Sequence, residues 1–219
     1  MPAIGITGGV STGKTTFCNC LQELVPGAKF FNADRSAREL ADGDPEVQEA
    51  IRQAFGPDIY SADGHLNRAQ LRAIVFQDAV QKGVLEQILH PRIRRQWSAE
   101  ARTYRSSSDF FFADIPLLYE TGGETLCDFV VVVACSPEIQ RQRLLGRSRS
   151  NVAQLSKLRS KQQQVGNLLH QSLADEMIRS QMPLSDKITR AHHVVWNNDG
   201  QAILATQARA LAALWRREP

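Results

Sequence analysis

The run Gly8-Gly9-Val10-Ser11-Thr12-Gly13-Lys14-Thr15 follows the pattern Gly, four residues, Gly-Lys-Thr. No other stretch narrows the fold as far. Before it, Ala3-Ile4-Gly5-Ile6-Thr7 is a short apolar run suited to a buried parallel strand. After it, Phe17, Leu21 and Leu24 recur at helical spacing, and Pro26-Gly27 closes the segment. Strand, glycine loop and helix in this order form a phosphate cradle. Gly8 and Gly13 allow backbone approaches that a side chain would forbid. Successive N–H groups then point inward, and the helix N-terminus adds partial positive charge. Lys14 is placed to reach the terminal phosphates and the Thr15 hydroxyl to ligate Mg²⁺. The expected nucleotide contacts are Gly9, Val10, Ser11, Thr12, Gly13, Lys14, Thr15 and Thr16.

At 219 residues the chain is long enough for one domain with insertions. A net charge of +3 demands neither nucleic acid nor an anionic membrane. Most of the positive charge is arginine, which favours bidentate capture of phosphates. No charged segment followed by a long apolar stretch opens the chain, and Phe129 to Cys135 is too short to span a bilayer. Cys18, Cys20, Cys127 and Cys135 lack zinc or Cys-x-x-Cys spacing and read as reduced core thiols. The expectation is a cytoplasmic monomer without nucleic-acid or membrane partners.

Five candidate strands alternate with helical stretches, which predicts an α/β fold on a parallel sheet. They are Ala3–Thr7, Ala28–Asn32, Asp109–Ala113, Phe129–Ala134 and His193–Trp196. A helix begins near Asp34, Asp44-Pro45 is a cap followed by Pro at the first helical position, and Ser136-Pro137-Glu138 repeats that signal. Asn197 to Gly200 is a turn into a last helix, whose expected apolar face is Ile203, Leu204, Ala208, Leu211, Leu214 and Trp215. Between Asp34 and Ser108 no strand is expected; one helix runs about Arg68–Asp78, and another starts near Lys82 and continues past His90-Pro91. The expected organisation is a single domain with its core at about 1–34, 108–146 and 181–219, a helical acceptor-binding insertion at about 35–107 and a helical lid at about 147–180.

Three further groups bear chemistry. Asp34 follows the second strand, and ligands of open parallel sheets bind at strand carboxyl ends. A carboxylate there can take the proton of an acceptor hydroxyl, or it can cap the helix. Asp114 ends the aromatic run Phe110-Phe111-Phe112-Ala113 and suits a carboxylate that holds magnesium directly or through water. Gln140, Arg143 and Arg147 share one helical face, where arginines can neutralise a phosphoryl group in transfer. Arg141 and Arg149 fall off that face. His90, His192 and His193 have no metal-ligand spacing and read as structural.

With these residues in hand, the chain resembles the dephospho-coenzyme A kinase family over most of its length. The matching elements are Gly5 to Thr16, Asn32-Ala33-Asp34, Leu66-Asn67-Arg68, Val75-Phe76, His90-Pro91, Asp114-Ile115-Pro116-Leu117-Leu118-Tyr119-Glu120, Gln140 to Arg147 and Arg179 to Pro183. The resemblance implies a P-loop NTPase-type five-stranded parallel sheet flanked by helices. It also implies transfer of the γ-phosphoryl of ATP to the ribose 3′-hydroxyl of dephospho-coenzyme A, with Mg²⁺ as cofactor. By it Asp34 is the general base, Lys14 and Arg143 act on the phosphoryl group, and Arg147 and Asn198 contact ATP.

The chain departs from the family at four places, one of them Ala191-His192, where Ala-Asp is usual. Ser11 and Thr12 stand where Gly and Ser are usual, Asn32 replaces the first Asp of an Asp-Ala-Asp element, and the stretch from Arg147 to Arg179 is longer than the usual lid. The rival readings are another small-metabolite kinase of the same fold and a catalytically silent nucleotide or RNA binder.

Overall fold

The structure is a computed structural model; it describes residues 2–105, 109–153 and 175–216, with backbone alone for 105 and 147–153. The strands are β1 (Ala3–Gly8), β2 (Lys29–Asn32), β3 (Phe111–Asp114), β4 (Phe129–Ala134) and β5 (His193–Trp196). They form one parallel sheet in the order β2-β3-β1-β4-β5. All five expected strands are present. The third starts at Phe111, later than expected, and takes Asp114 into the strand as its last residue.

The helices are α1 (Lys14–Leu24), α2 (Ala33–Gly43), α3 (Pro45–Phe55), α4 (Arg68–Gln77), α5 (Ala79–Arg105), α6 (Pro137–Ala153), α7 (Leu184–Arg190) and α8 (Gln201–Trp215). A further helical stretch covers 175–179. Most of the lid expected at about 147–180 lies outside the described residues.

The chain divides into two compact units, Met1–Phe30 with Tyr104–Pro219, and Phe31–Thr103. In the first, β1 sits between β3 and β4, with Ile6 opposite Asp114 on one side and Val131 on the other. Its strands are apolar on both faces because helices cover both, as a parallel sheet requires. Val130 to Ala134 are all buried. One face packs Ile4, Ile6, Phe112, Val131 and Val133 against Phe17 and Leu21 of α1 and Leu204, Ala208 and Trp215 of α8. The Phe30 and Phe112 rings stack at 4.7 Å.

The apolar stripe of α8 is narrower than its sequence suggests. Leu204, Ala208, Ala212 and Trp215 are buried, whereas Ile203 and Leu214 are 49% and 40% exposed. One helix lying on one face buries little more than positions spaced by three and four. His192 is structural: its Nδ1 accepts the Val130 N–H at 3.0 Å. The four cysteines form no disulfide, and burial raises the pKa of Cys18, Cys20 and Cys135, which keeps these thiols protonated.

The second unit has its own core of Ala41, Val47, Ile51, Ile59, Tyr60 and Leu71. Its helix starts follow the side-chain capping rule: Asn32 accepts the Arg35 N–H, Asp44 that of Val47 and Asn67 that of Gln70. Pro91 lies inside α5 without ending it. Beyond the end of β2, the one β-bridge among the described residues of this unit is the isolated pair Tyr60 and Leu66.

Candidate active site

The loop between β1 and α1 is held by side chains from three separate parts of the first unit. From α6, the Gln140 amide donates to the Val10 carbonyl at 2.9 Å, and Arg143 reaches the Thr12 carbonyl at 3.5 Å. From the end of β5, the Asn197 amide donates to the same Thr12 carbonyl at 2.9 Å. From the segment before α7, the Gln181 amide oxygen accepts the Val10 N–H at 3.0 Å. Within the loop the Thr12 hydroxyl and N–H both donate to the Gly9 carbonyl, at 2.9 and 3.3 Å.

The glycines answer to these neighbours. Gly13 has φ 98°, and a Cβ there would strike the Asn197 amide; a Cβ on Gly9 would lie 2.6 Å from Gln140 Nε2. Gly13 is the N-cap of α1 and brings no side chain to cap it. Lys14, Thr15 and Thr16 open the helix, so their N–H groups have no intrahelical acceptor. This is the arrangement that takes an anion.

Lys14 is ion-paired with Asp114, both side chains being largely buried at 13% and 6% exposure. Asp114 is fixed beside β1 because the Ile115 N–H donates to the Ile6 carbonyl at 2.9 Å. Thr15 is exposed on the first turn of α1. A cavity of about 420 Å³ adjoins the loop, lined by Ser11, Gly13, Thr16, Arg143, Asn197, Gly200 and Gln201. The structure therefore brings together the loop residues, Lys14, Asp114 and Arg143.

Of the remaining expected site residues, Asn198 faces outward and accepts the Ser136 N–H at 2.9 Å, while its neighbour Asn197 is buried against the loop. Arg147 lies on α6, and its side chain is outside the described residues. Arg141 is paired with Asp175 at 3.2 Å. Asp34 belongs to the second unit, exposed in the first turn of α2. The cap of that helix is Asn32, so the capping alternative for Asp34 falls away.

No motif or spacing singles out Lys187. It lies on the short α7, is fully buried, and donates to the Pro116 carbonyl and to Glu120, both at 2.9 Å. Burial pulls its pKa below the ordinary lysine value, against the raising influence of Glu120. The Pro116 carbonyl also accepts the Thr7 hydroxyl at 2.9 Å, and Glu120 the Met182 N–H at 2.9 Å. The segment from Asp114 to Glu120 thus ties the β1 end, the β3 end and the start of α7 together.

Comparison with known proteins gives this geometry a family. The model of the family described as dephospho-CoA kinase matches residues 2–178. The chain belongs to the dephospho-CoA kinase family. Its members catalyse the final step of coenzyme A biosynthesis and use ATP as co-substrate. The chain is 36% identical to the dephospho-CoA kinase of Haemophilus ducreyi over 187 residues, 85% of this chain and 88% of the relative. It is 34% identical to that of Listeria monocytogenes over 214 residues, 97% and 96% of the two chains. The same fold is found in dephospho-CoA kinase from Campylobacter jejuni, with TM-score 0.68 and 22% identity over 98% of this chain and 97% of that one. A protein solved from Thermus thermophilus superposes with TM-score 0.71 at 28% identity, covering 100% and 98%. Among the described residues no helix is long and apolar enough to cross a membrane.

Proposed function

We propose that this chain transfers the γ-phosphoryl of ATP to the ribose 3′-hydroxyl of dephospho-coenzyme A, with Asp34 as general base. The observation that carries the reading is the braced loop, whose Lys14 is held by the buried Asp114. Lys14 is drawn from Asp114 to the β- and γ-phosphates when nucleotide enters, and its charge offsets that of the phosphoryl group in flight. Arg143, half-buried at the same cavity, acts on the same charge. The acceptor hydroxyl gives its proton to Asp34 as its oxygen bonds to the γ-phosphorus, and the bridging bond to ADP breaks. The exposed carboxylate of Asp34, at the carboxyl end of β2, supports that role.

The donors at the loop suit magnesium. Thr15 offers a hydroxyl and Asp114 a carboxylate, both hard oxygens, and Mg²⁺ takes a small number of protein ligands beside phosphates and water. No group of three or more His, Cys, Asp or Glu that could hold a metal occurs among the described residues, so a cation needing a full protein cage does not fit. When bound, magnesium supplies charge neutralisation at the phosphates. With four cysteines and no disulfide among them, the compartment we assign is the reducing cytoplasm.

The test is ADP release with Mg-ATP and dephospho-coenzyme A, run beside adenosine, AMP and pantetheine phosphate. Turnover with dephospho-coenzyme A alone, abolished in Asp34→Asn, is the expected result. Turnover with another acceptor would keep the loop chemistry and discard the substrate. No turnover with any acceptor would overturn the enzymatic reading.

A further inference from the structure

Three peptide planes of the loop are held by side chains from outside it, and they do not all face the same way. A trans peptide points its C=O and its N–H in opposite directions. The Val10 carbonyl is taken by Gln140 and the Thr12 carbonyl by Asn197, at 2.9 Å each, so the N–H groups of Ser11 and Gly13 are aimed away from these amides. The plane between Gly9 and Val10 is set in reverse. Its carbonyl is turned to the Thr12 N–H and hydroxyl, and its N–H is spent on the Gln181 amide oxygen at 3.0 Å. Gln181 and Gln140 thus hold the two peptide groups of Val10 from two parts of the chain. A first plane free to turn would take the second with it.

The three holding amides are secured differently. Gln140 stands on α6 and Asn197 follows β5, and both are buried. Gln181 is half-buried in the irregular stretch before α7, where no regular element fixes it. What places it is the residue beside it. The Met182 N–H donates to Glu120 at 2.9 Å, and Glu120 also accepts Lys187, which is fully buried and donates to the Pro116 carbonyl as well. Arg190 closes the same corner, paired with Glu124 and lying over the Tyr119 ring at 4.4 Å. A line of contacts therefore runs from Lys187 through Glu120, Met182 and Gln181 to Val10. An apolar side chain of similar volume would fill the place of Lys187 at less cost to folding, so stability alone does not account for the pair.

We propose that Gln181 is a positioning residue for phosphoryl transfer, and that the buried Lys187–Glu120 pair acts on nucleotide turnover through it. The proposal rests on the kinase reading of the loop. Gln181 makes no contact with the nucleotide in this role: it turns the Val10 peptide, keeps the Val10 N–H out of the cradle and so sets the direction of the donors that follow.

The experiment is steady-state ADP release at varied ATP with dephospho-coenzyme A, beside thermal melting, on the full chain and its variants. Gln181→Leu lowers kcat/KM for ATP about tenfold. It lowers the melting temperature by no more than about 2–4 °C, because water can take up the N–H of the half-buried Val10. Glu120→Ala lowers kcat/KM by a similar factor and melts well below wild type. Adding Gln181→Leu to it removes little more activity, since both break one line of contacts. Glu120→Gln keeps an acceptor for the Met182 N–H and gives up the charge, so it restores most of kcat/KM while the melting temperature stays low. Unchanged kcat/KM in Gln181→Leu would overturn the proposal, as would losses that multiply in the double variant. Activity that followed the melting temperature through every variant would overturn it too, because a purely structural pair behaves that way. If wild type released no ADP, the kinase reading would fail first and this inference with it.

Discussion

The phosphate loop and the start of α2, to which we assign the two halves of one proposed reaction, are built in opposite ways. Around the loop, Gln140, Arg143, Asn197 and Gln181 brace the backbone at Val10 and Thr12, and Lys14 is buried against Asp114. Asp34 sits exposed on a helix turn secured by one side-chain cap, Asn32. The loop has to present several N–H groups to an anion at once, so its geometry must exist before the ligand arrives. A general base has to be open to its substrate and depends on one carboxylate. The difference implies that damage near the loop is spread over stability and binding, and damage near Asp34 is confined to turnover.

The most severe way to break this contrast is at Lys14. Lys14→Ala removes charge at the transferring phosphates and takes the neighbouring cation from the buried Asp114. We expect turnover to fall by roughly 10³-fold or more and the melting temperature to fall as well. Steady-state assay and thermal melting check both; a variant that kept its turnover would remove the loop from the mechanism. Asp34→Asn should lower kcat by on the order of 10²–10⁴ while the ATP dissociation constant and melting temperature stay near wild type. Collapse of ATP affinity there would make Asp34 a nucleotide or metal contact and erase the contrast.

The loop and the strands beside it are legible in the amino-acid sequence because their signals are local. Gly8 to Thr15 fixes a loop geometry by itself, and the apolar runs of β1 and β4 can only be interior strands. What the sequence hides is decided at a distance. Lys187 stands on a short polar helix between Asp186 and Arg190 and reads as solvated; its burial follows from acceptors at Pro116 and Glu120, far away in sequence. Asn197 and Asn198 are adjacent asparagines, and only the direction of β5 decides which one meets Thr12 and which one meets Ser136. Ile203 and Leu214 follow the apolar rhythm of α8, but whether such a position is covered depends on what packs there.

Lys187 sharpens the comparison because it supports the loop side through Pro116 and Glu120. Lys187→Met leaves the Glu120 carboxylate without its buried cation and should destabilise the chain by about 3 kcal/mol, measured by denaturant unfolding near neutral pH. Its pH dependence has a definite sign. Burial lowers the pKa of Lys187 in the folded chain below 10.5, so the unfolded chain holds this proton more tightly. The contribution of Lys187 is therefore fully present above 10.5 and diminishes as the pH falls through the lowered value. The wild type should gain stability relative to Lys187→Met as the pH rises from neutral towards 10.5. A difference that stayed flat or shrank would mean that the lysine is not buried as a cation.

The smallest effect is expected at the cap of α2. Asn32→Ala removes the acceptor for the Arg35 N–H and should lower stability by about 1 kcal/mol. Since Asp34 lies in the turn so secured, kcat should fall a few-fold through looser placement of the carboxylate. Asn32→Asp is the discriminating partner: aspartate caps as well as asparagine and its charge suits a helix N-terminus. It should restore stability and most of kcat. If Asn32→Asp restored stability but left kcat low, a second negative charge beside Asp34 would be the harmful element, and the amide at position 32 would matter for electrostatics more than for holding the turn.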